Sequence, residues 1–173
     1  SDGLSEMVVG DLNGDELPDL AMTTHDSYDV MLALGDGEGG FSFAATSPVV
    51  MRTGDHPHTH GLGIGDLNGD GSLDLVTANN EDNDIVVALN DGKGGFTASP
   101  ASPFAVEVRP YPLTLGDVNN DGVLDIISSS TGPTSRSMTI LLGDGQGDFE
   151  ARTVSLETVQ PWFPAIGDVN GDG

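Results

Sequence analysis

Residues 65–80 read GDLNGDGSLDLVTANN, an acidic Gly-rich loop followed by an apolar run. The first, third, fifth and ninth positions of its loop carry oxygen-bearing side chains, namely Asp66, Asn68, Asp70 and Asp74. Oxygen ligands on alternate residues of a tight loop, most of them carboxylates, are what a hard divalent cation such as Ca²⁺ requires. The apolar run that follows the loop indicates that the loop leads directly into a β-strand.

The same loop recurs along the chain at a nearly constant period. Its copies begin at Asp11, Asp66, Asp117 and Asp168, which spaces them 55, 51 and 51 residues apart. The seventh residue of each complete copy can add a backbone carbonyl. The predicted metal ligands are therefore Asp11, Asn13, Asp15, Leu17 and Asp19; Asp66, Asn68, Asp70, Ser72 and Asp74; Asp117, Asn119, Asp121, Val123 and Asp125; and, in an incomplete fourth copy, Asp168, Asn170 and Asp172. We expect one Ca²⁺ in each complete repeat, about three in total.

The loop pattern has two other interpretations, an EF-hand and an ordinary turn. An EF-hand loop also starts with Asp-x-Asn-x-Asp, but it needs a Glu at position twelve and flanking helices. Position twelve is Met22, Thr77 or Ser128, and the flanks have the pattern of strands. Asp, Asn and Gly also form ordinary turns, although three complete copies favour calcium over that alternative. Glu16 replaces the glycine found at Gly71 in the second copy, which predicts a distorted or weaker first site.

Each period holds four apolar segments of strand length. The first runs into the acidic loop, the second leaves it, the third is almost entirely apolar, and the fourth begins at Phe41, Phe96 or Phe149 after a Gly-rich turn. Four strands in about fifty residues are typical of a β-propeller blade. The chain is therefore predicted to be all-β: three complete four-stranded antiparallel blades at about 4–58, 59–109 and 110–160, and the start of a fourth at 161–173. Because propellers close with about four to eight blades, we expect these blades to be part of a larger propeller of about seven blades.

The repeated segments resemble a known family. GDLNGDGSLDLVTANN (65–80) and IVVALNDGKGGF (85–96) are similar to the FG-GAP or VCBS-type repeats of integrin-α-like β-propellers. This resemblance implies a calcium-bearing propeller used in adhesion, in glycan binding or as the scaffold of an enzyme.

Composition restricts the class of partner. The chain has 28 acidic residues against 5 Lys and Arg, a formal charge of −23, so nucleic acid and anionic lipid are not expected to bind. It has no cysteine and no long apolar run that could span a membrane. Calcium loops of modest affinity fill only where calcium is plentiful, which predicts a secreted or cell-surface protein.

The loops at the opposite end of the blades vary between repeats, and such loops usually carry binding residues. Counting back from Gly65, Gly116 and Gly167, one equivalent position holds His60, Tyr111 and Trp162, and another, two residues earlier, holds His58, Arg109 and Gln160. Planar rings beside polar groups near a propeller axis can form a platform for stacking sugars. The alternative is that these rings close the mouth of the channel or pack under a loop.

Histidines cluster at 56–60. In an extended strand His56, His58 and His60 point to the same side, which would allow a transition-metal site. The other repeats have no metal ligands at these positions, and Pro57 disturbs regular pairing, so both observations argue against such a site.

Three functions follow from these observations. The leading one is an extracellular, calcium-stabilised propeller that serves as a binding, adhesion or structural module. The second is a lectin-like glycan binder that uses the aromatic rings. The third is part of a polysaccharide-active enzyme such as a lyase or dehydratase, in which His58, His60 or Arg109 would act as base or charge stabiliser. The sequence favours a binding module over an enzyme, because the repeated acids are assigned to metal and no Ser or Cys nucleophile stands out.

Overall fold

The computed structural model describes residues 3–25, 27–56, 58–132 and 135–169. These residues form fourteen β-strands arranged in three antiparallel sheets. The described ranges contain no helix, and hence none with the length and apolar character needed to span a membrane. The prediction of an all-β fold made of four-stranded antiparallel blades is confirmed, and the strands on both sides of the acidic loops exclude an EF-hand.

The three sheets follow one another along the chain and share one strand order. The first contains β1 (Leu4–Gly10), β2 (Asp19–Thr24), β3 (Asp29–Gly35), β4 (Phe41–Phe43) and β5 (Val49–Val50). The second contains β6 (Thr59–Gly65), β7 (Asp74–Asn79), β8 (Asp84–Asn90), β9 (Phe96–Ala98) and β10 (Phe104–Ala105). The third contains β11 (Pro110–Gly116), β12 (Asp125–Ser130), β13 (Ser137–Gly143) and β14 (Phe149–Ser155). The first strands of neighbouring blades, β1, β6 and β11, lie beside each other.

The fourth strand position is split in two of the blades. Strands β4 and β5 both pair with β3, and β9 and β10 both pair with β8. Pro48 and Pro103 lie at the breaks, where a proline has no N–H to donate to the sheet. In the second blade the Val87 N–H donates to Ser102 Oγ instead, at 3.1 Å, and the first blade has the equivalent bond. The third blade has no proline at this position, and β14 is continuous.

Apolar side chains are buried in two seams between the blades. The first seam contains Leu12, Ala21, Val30, Leu32, Val49, Met51, Leu62, Leu75, Val86 and Ala88. The second contains Leu67, Val76, Ala78, Ile85, Val87, Phe104, Ile126, Leu141 and Phe149. Successive side chains of β8 alternate between the seams, since Val86 and Ala88 pack in the first and Ile85 and Val87 in the second. Both faces of the central sheet are therefore buried, which explains why β8 is apolar without interruption from Ile85 to Leu89.

The outer faces of the first and third blades remain apolar and open. Large exposed side chains of the first blade are Leu4, Met7, Val9, Phe41 and Phe43, between 48% and 69% exposed. On the third blade, Ile127, Met138 and Ile140 line an open depression together with residues 164–166. These two outer faces therefore differ from the central sheet, whose apolar side chains are buried on both sides.

Each first strand is irregular near its start. The pairing register shifts between Leu4 and Glu6 in β1, between His60 and Leu62 in β6, and between Pro110 and Leu113 in β11. These shifts lie at the end of the blade opposite the acidic loop. Bulges of this kind redirect the side chains next to them, and they often occur beside binding sites.

The start of a fourth blade was predicted at 161–173. Its expected first strand, residues 165–167, is not a strand in the structure. In the three complete blades the first strand is held by hydrogen bonds to the strand that follows the acidic loop, and no such partner strand occurs for 165–167 among the described residues. Residues 170–173 lie outside the described part of the chain.

Candidate functional site

Each acidic loop joins the first two strands of a blade and is organised around its first aspartate. In the central loop Asp66 Oδ1 accepts a hydrogen bond from the Gly69 N–H at 2.8 Å and from the Asp70 N–H at 3.1 Å. Its Oδ2 accepts the Gly71 N–H at 2.9 Å. The corresponding aspartates of the other two loops accept the same kind of bonds. The loop backbone therefore converges on one carboxylate, whose remaining lone pairs can still face a cation.

The aspartate at the ninth position has a structural role that the sequence pattern did not reveal. Asp74 is fully buried, and its two carboxylate oxygens accept the N–H groups of Leu67 at 2.9 Å and Asn90 at 2.8 Å. Asp19 and Asp125, also fully buried, make the equivalent two bonds in their own blades. This carboxylate thus ties the acidic loop to the end of the third strand in every complete blade.

The first loop brings three of its predicted ligands together. A carboxylate oxygen from each of Asp11, Asp15 and Asp19 lies within 4.8 Å of the others. Glu16 has a φ of 65°, close to the 89° of Gly71, and its N–H donates to Asp11 Oδ2 at 2.8 Å. The first loop therefore has the same shape as the second despite the replacement of glycine, although a non-glycine residue in this conformation carries some strain.

Hydrogen bonding and burial act on these carboxyl groups in opposite directions. The Ser72 N–H lowers the pKa of Asp70, and the Gly122 N–H lowers the pKa of Asp117, because both bonds favour the charged form. Burial raises the pKa of Asp74, because a charge is poorly solvated there. A cation in the loop would favour the ionised form of all of them.

The asparagines at the third loop position make the same hydrogen bond in all three complete loops. Asn68 and Asn119 each donate their amide Nδ2 to the carboxylate of the fifth-position aspartate, at 3.0 Å and 2.8 Å, and Asn13 does the same at 3.0 Å. Of the fourth copy, Asp168 belongs to the described residues, whereas the predicted ligands Asn170 and Asp172 lie outside them.

At the other end of the blades, equivalent residues of successive repeats contact one another. Ser5 Oγ lies 3.4 Å from His60 Nδ1, and the His60 ring stacks on Tyr111 with ring centroids 3.9 Å apart. Tyr111 in turn meets Trp162 edge to face, with a centroid distance of 6.2 Å. Among the three rings, exposure rises from 4% for His60 to 56% for Trp162. We call these four residues the rim series; Ser5 is its one member that sequence reasoning missed.

The polar residues predicted beside the rings form separate contacts. His58 and Arg109 both approach Glu81, with His58 Nδ1 at 3.6 Å and Arg109 Nη2 at 3.3 Å from Oε1. Gln160 Nε2 instead donates to the carbonyl oxygens of Thr131 and Gly132, at 3.4 Å and 3.3 Å. Glu81 therefore groups His58 with Arg109, while Gln160 fixes the backbone of a neighbouring loop.

The histidine cluster differs from the prediction. His56 lies apart, with its Nδ1 at 3.3 Å from Asp82 Oδ1, and His25 of the first blade joins His58 and His60 instead. The prediction that His56 lies on the same side of a strand as His58 and His60 was wrong. Strand β6 begins only at Thr59, and the residues before it are not in strand geometry. Burial, together with the neighbouring imidazoles of His58 and His25, lowers the pKa of His60 to about 4.

The chain belongs to the FG-GAP-like repeat family. This family matches residues 11–77 and 66–128, which together cover more than half of the chain. The match contains the three complete acidic loops, so the predicted resemblance is confirmed. Fold and family together define a chain of FG-GAP-like repeats, each folded as a four-stranded antiparallel blade of the β-propeller type.

A solved structure shares the fold. The chain is similar to a lectin from Agrocybe aegerita that was studied for its specific recognition of non-reducing terminal N-acetylglucosamine, with a TM-score of 0.56 and 24% identity. The similarity covers 88% of this chain and 38% of the lectin chain, so this chain spans well under half of the lectin's length. No curated protein matches the sequence.

Proposed function

We propose that this chain is part of an extracellular β-propeller that binds Ca²⁺ in its acidic loops and serves as a binding or adhesion module. The observation that carries the proposal is the convergence of Asp11, Asp15 and Asp19, whose carboxylate oxygens lie within 4.8 Å of one another. Carboxylates so close repel each other unless a positive charge lies between them. The same loop framework recurs in the other two complete blades.

The usual affinity of such loops supports an extracellular location. Calcium sites of extracellular modules bind with dissociation constants of about 10⁻⁴ to 10⁻³ M, so they fill only where free calcium is abundant. At a formal charge of −23, each bound Ca²⁺ also relieves repulsion across the whole surface.

Calcium binding is tested by counting ions and by thermal unfolding. Equilibrium dialysis should find about three Ca²⁺ per chain, and Asp70→Ala should remove one of them. Asp91→Ala is the matched control, because Asp91 lies in the Gly-rich turn and accepts the N–H groups of Lys93 and Gly95 at 2.9 Å each. Excess chelator should lower the melting temperature of the unmodified chain. An unchanged melting curve, or an equal loss of calcium in both variants, would contradict the assignment.

Glycan binding at the rim series is the second candidate function. Its specific support is Trp162, which is 56% exposed and stands at the open end of a row of rings. An exposed indole beside other rings offers the flat apolar surface on which a sugar ring stacks. Because the lectin of similar fold was studied for its recognition of terminal N-acetylglucosamine, that sugar is the first ligand to test.

A glycan array with calcium-loaded chain provides the test. Binding should disappear in Trp162→Ala and persist in Phe43→Ala, which removes an aromatic ring that is 69% exposed on the outer face of the first blade. Retention of binding in Trp162→Ala would exclude the rim series as the sugar site. Equal loss in both variants would point to non-specific adsorption on exposed rings.

Additional blades complete the proposal. The outer faces of the first and third blades expose apolar side chains such as Val9 and Phe43, at 57% and 69%. We propose that blades from the same polypeptide or from an assembly cover these faces, for a total near seven. Light scattering of the isolated chain should then show self-association that decreases in Phe43→Ser. A strictly monomeric chain at high concentration would count against coverage of these faces.

A further inference from the structure

Three histidines from two different blades meet at the end of the propeller opposite the acidic loops. His25 follows strand β2 of the first blade, while His58 precedes β6 and His60 lies within it. One ligand atom of each lies within 4.8 Å of the others. The ring centroids are 4.5 Å apart for His25 and His58, 4.5 Å for His58 and His60, and 4.9 Å for His25 and His60.

This arrangement has the donor set of a transition-metal site. Three neutral imidazole nitrogens suit Zn²⁺ and its neighbours in the first transition series, whereas Ca²⁺ prefers oxygen. A tetrahedral zinc ion with Zn–N bonds of about 2.0–2.1 Å needs nitrogens about 3.4 Å apart. The present spacing of up to 4.8 Å would be closed to that value by rotation of the His25 and His58 side chains. Three histidines leave the fourth position to water or a small anion.

The surroundings order the rings. His60 is 4% exposed, stacks on Tyr111 and has Ser5 Oγ at 3.4 Å from its Nδ1, so its position is fixed by packing. Glu81 Oε1 lies 3.6 Å from Nδ1 of His58. A carboxylate behind a histidine is the usual outer partner of a metal-bound imidazole, because it orients the ring and makes it more basic. His25 is exposed, which gives an ion a path from solvent.

We propose that His25, His58 and His60 form a zinc-class transition-metal site that links the first and second blades. The site is distinct from the acidic loops: the six residue steps from His60 along β6 to Asp66 span about 20 Å. The excess of negative charge on the chain raises the local concentration of any cation near it. Since the ligands come from both sides of the first seam, a bound ion would fasten the two blades to each other.

The experiment titrates Zn²⁺ into the calcium-loaded chain by isothermal calorimetry with calcium kept in excess. We expect one zinc per chain, a rise in melting temperature and, with Co²⁺ as the probe, the visible absorption of a tetrahedral site. The chain has four histidines, so His56→Ala is the matched control for His25→Ala. His25 is exposed, and its replacement should leave the fold intact while weakening zinc binding at least tenfold.

Each outcome decides the proposal. Unchanged zinc affinity in His56→Ala together with loss in His25→Ala supports it. Absence of zinc binding, or equal loss in both histidine variants, overturns it. Zinc binding that is abolished by Asp70→Ala but retained in His25→Ala would place the ion in an acidic loop and would also overturn it. Because calcium is counted separately by dialysis, failure of the zinc site would leave the calcium proposal untouched.

Discussion

The buried aspartate at the ninth loop position offers the sharpest test of how the blades are held together. Asp74 accepts two backbone hydrogen bonds, from Leu67 in the acidic loop and from Asn90 at the end of β8. Asp74→Ala removes both acceptors and leaves two N–H groups in a site that is closed to water. We expect a large loss of stability even when calcium is absent, because the bonds belong to the protein scaffold.

The size of the stability loss follows from the two N–H groups that are left without an acceptor. An unsatisfied buried N–H costs about 1–3 kcal/mol, so the pair costs about 2–6 kcal/mol. Removal of a carboxylate whose pKa is raised by burial returns part of that cost, since the ionised group was itself poorly solvated. A net loss of about 3 kcal/mol remains. For a chain of this size it corresponds to a fall of about 6–12 °C in melting temperature.

The assay is chemical unfolding in excess chelator, with Asp70→Ala as the comparison. The Ser72 N–H donates to Asp70 and lowers its pKa. Once the Asp70 carboxylate is removed, this exposed N–H can bond to water instead. Asp70→Ala should therefore cost less than about 1 kcal/mol without calcium. With calcium present, both variants should lose the binding free energy of one site. Equal destabilisation of the two variants in chelator would refute the scaffold role of Asp74.

Two further predictions concern the seam between the first and second blades. Burial and the hydrogen bond to Asp82 raise the pKa of Tyr28 to about 12, so the folded chain favours the neutral phenol and loses stability as the pH rises from 10 to 12. Alkaline absorbance titration should show one tyrosine ionising near 12, and Tyr28→Phe should remove that step; ionisation near 10 would be the contrary result. Asn90 donates its side-chain amide to the carbonyl oxygens of Leu12 and Leu73, each at 3.0 Å. Asn90→Gly introduces the residue that the other two blades have at this position. It should destabilise the chain by about 1–3 kcal/mol, as measured by denaturant titration. An unchanged midpoint would show that this bridge adds nothing.

The sequence predicted the blades well because turns and strands alternate within each repeat. Gly-rich turns and acidic loops fixed where strands begin, and the fourth segments start at Phe41, Phe96 and Phe149 as expected. The splitting of two outer strands at Pro48 and Pro103 was not predicted, because it depends on serine hydroxyls that replace a backbone acceptor.

The parts of the site that escaped prediction did so for three different reasons. His25 lies more than thirty residues from His58 and joins it only through the packing of neighbouring blades. Ser5 could have been found by counting back from the glycine that precedes the first acidic loop, because it occupies the same place as His60, Tyr111 and Trp162. The scaffold role of the ninth-position aspartate was hidden because the sequence pattern that predicts a metal ligand there also suits a backbone acceptor.

The alternation of side chains along β8 determines how such a protein can be divided. Val86 and Ala88 contribute to one seam and Ile85 and Val87 to the other. The central sheet therefore shares its hydrophobic core residues with both neighbouring blades. A blade cut out by proteolysis would expose both sides and should not survive as an independent folding unit. Stability is then a property of adjacent pairs, and the chain can lengthen or shorten during evolution only by whole repeats whose flanks match those of their neighbours.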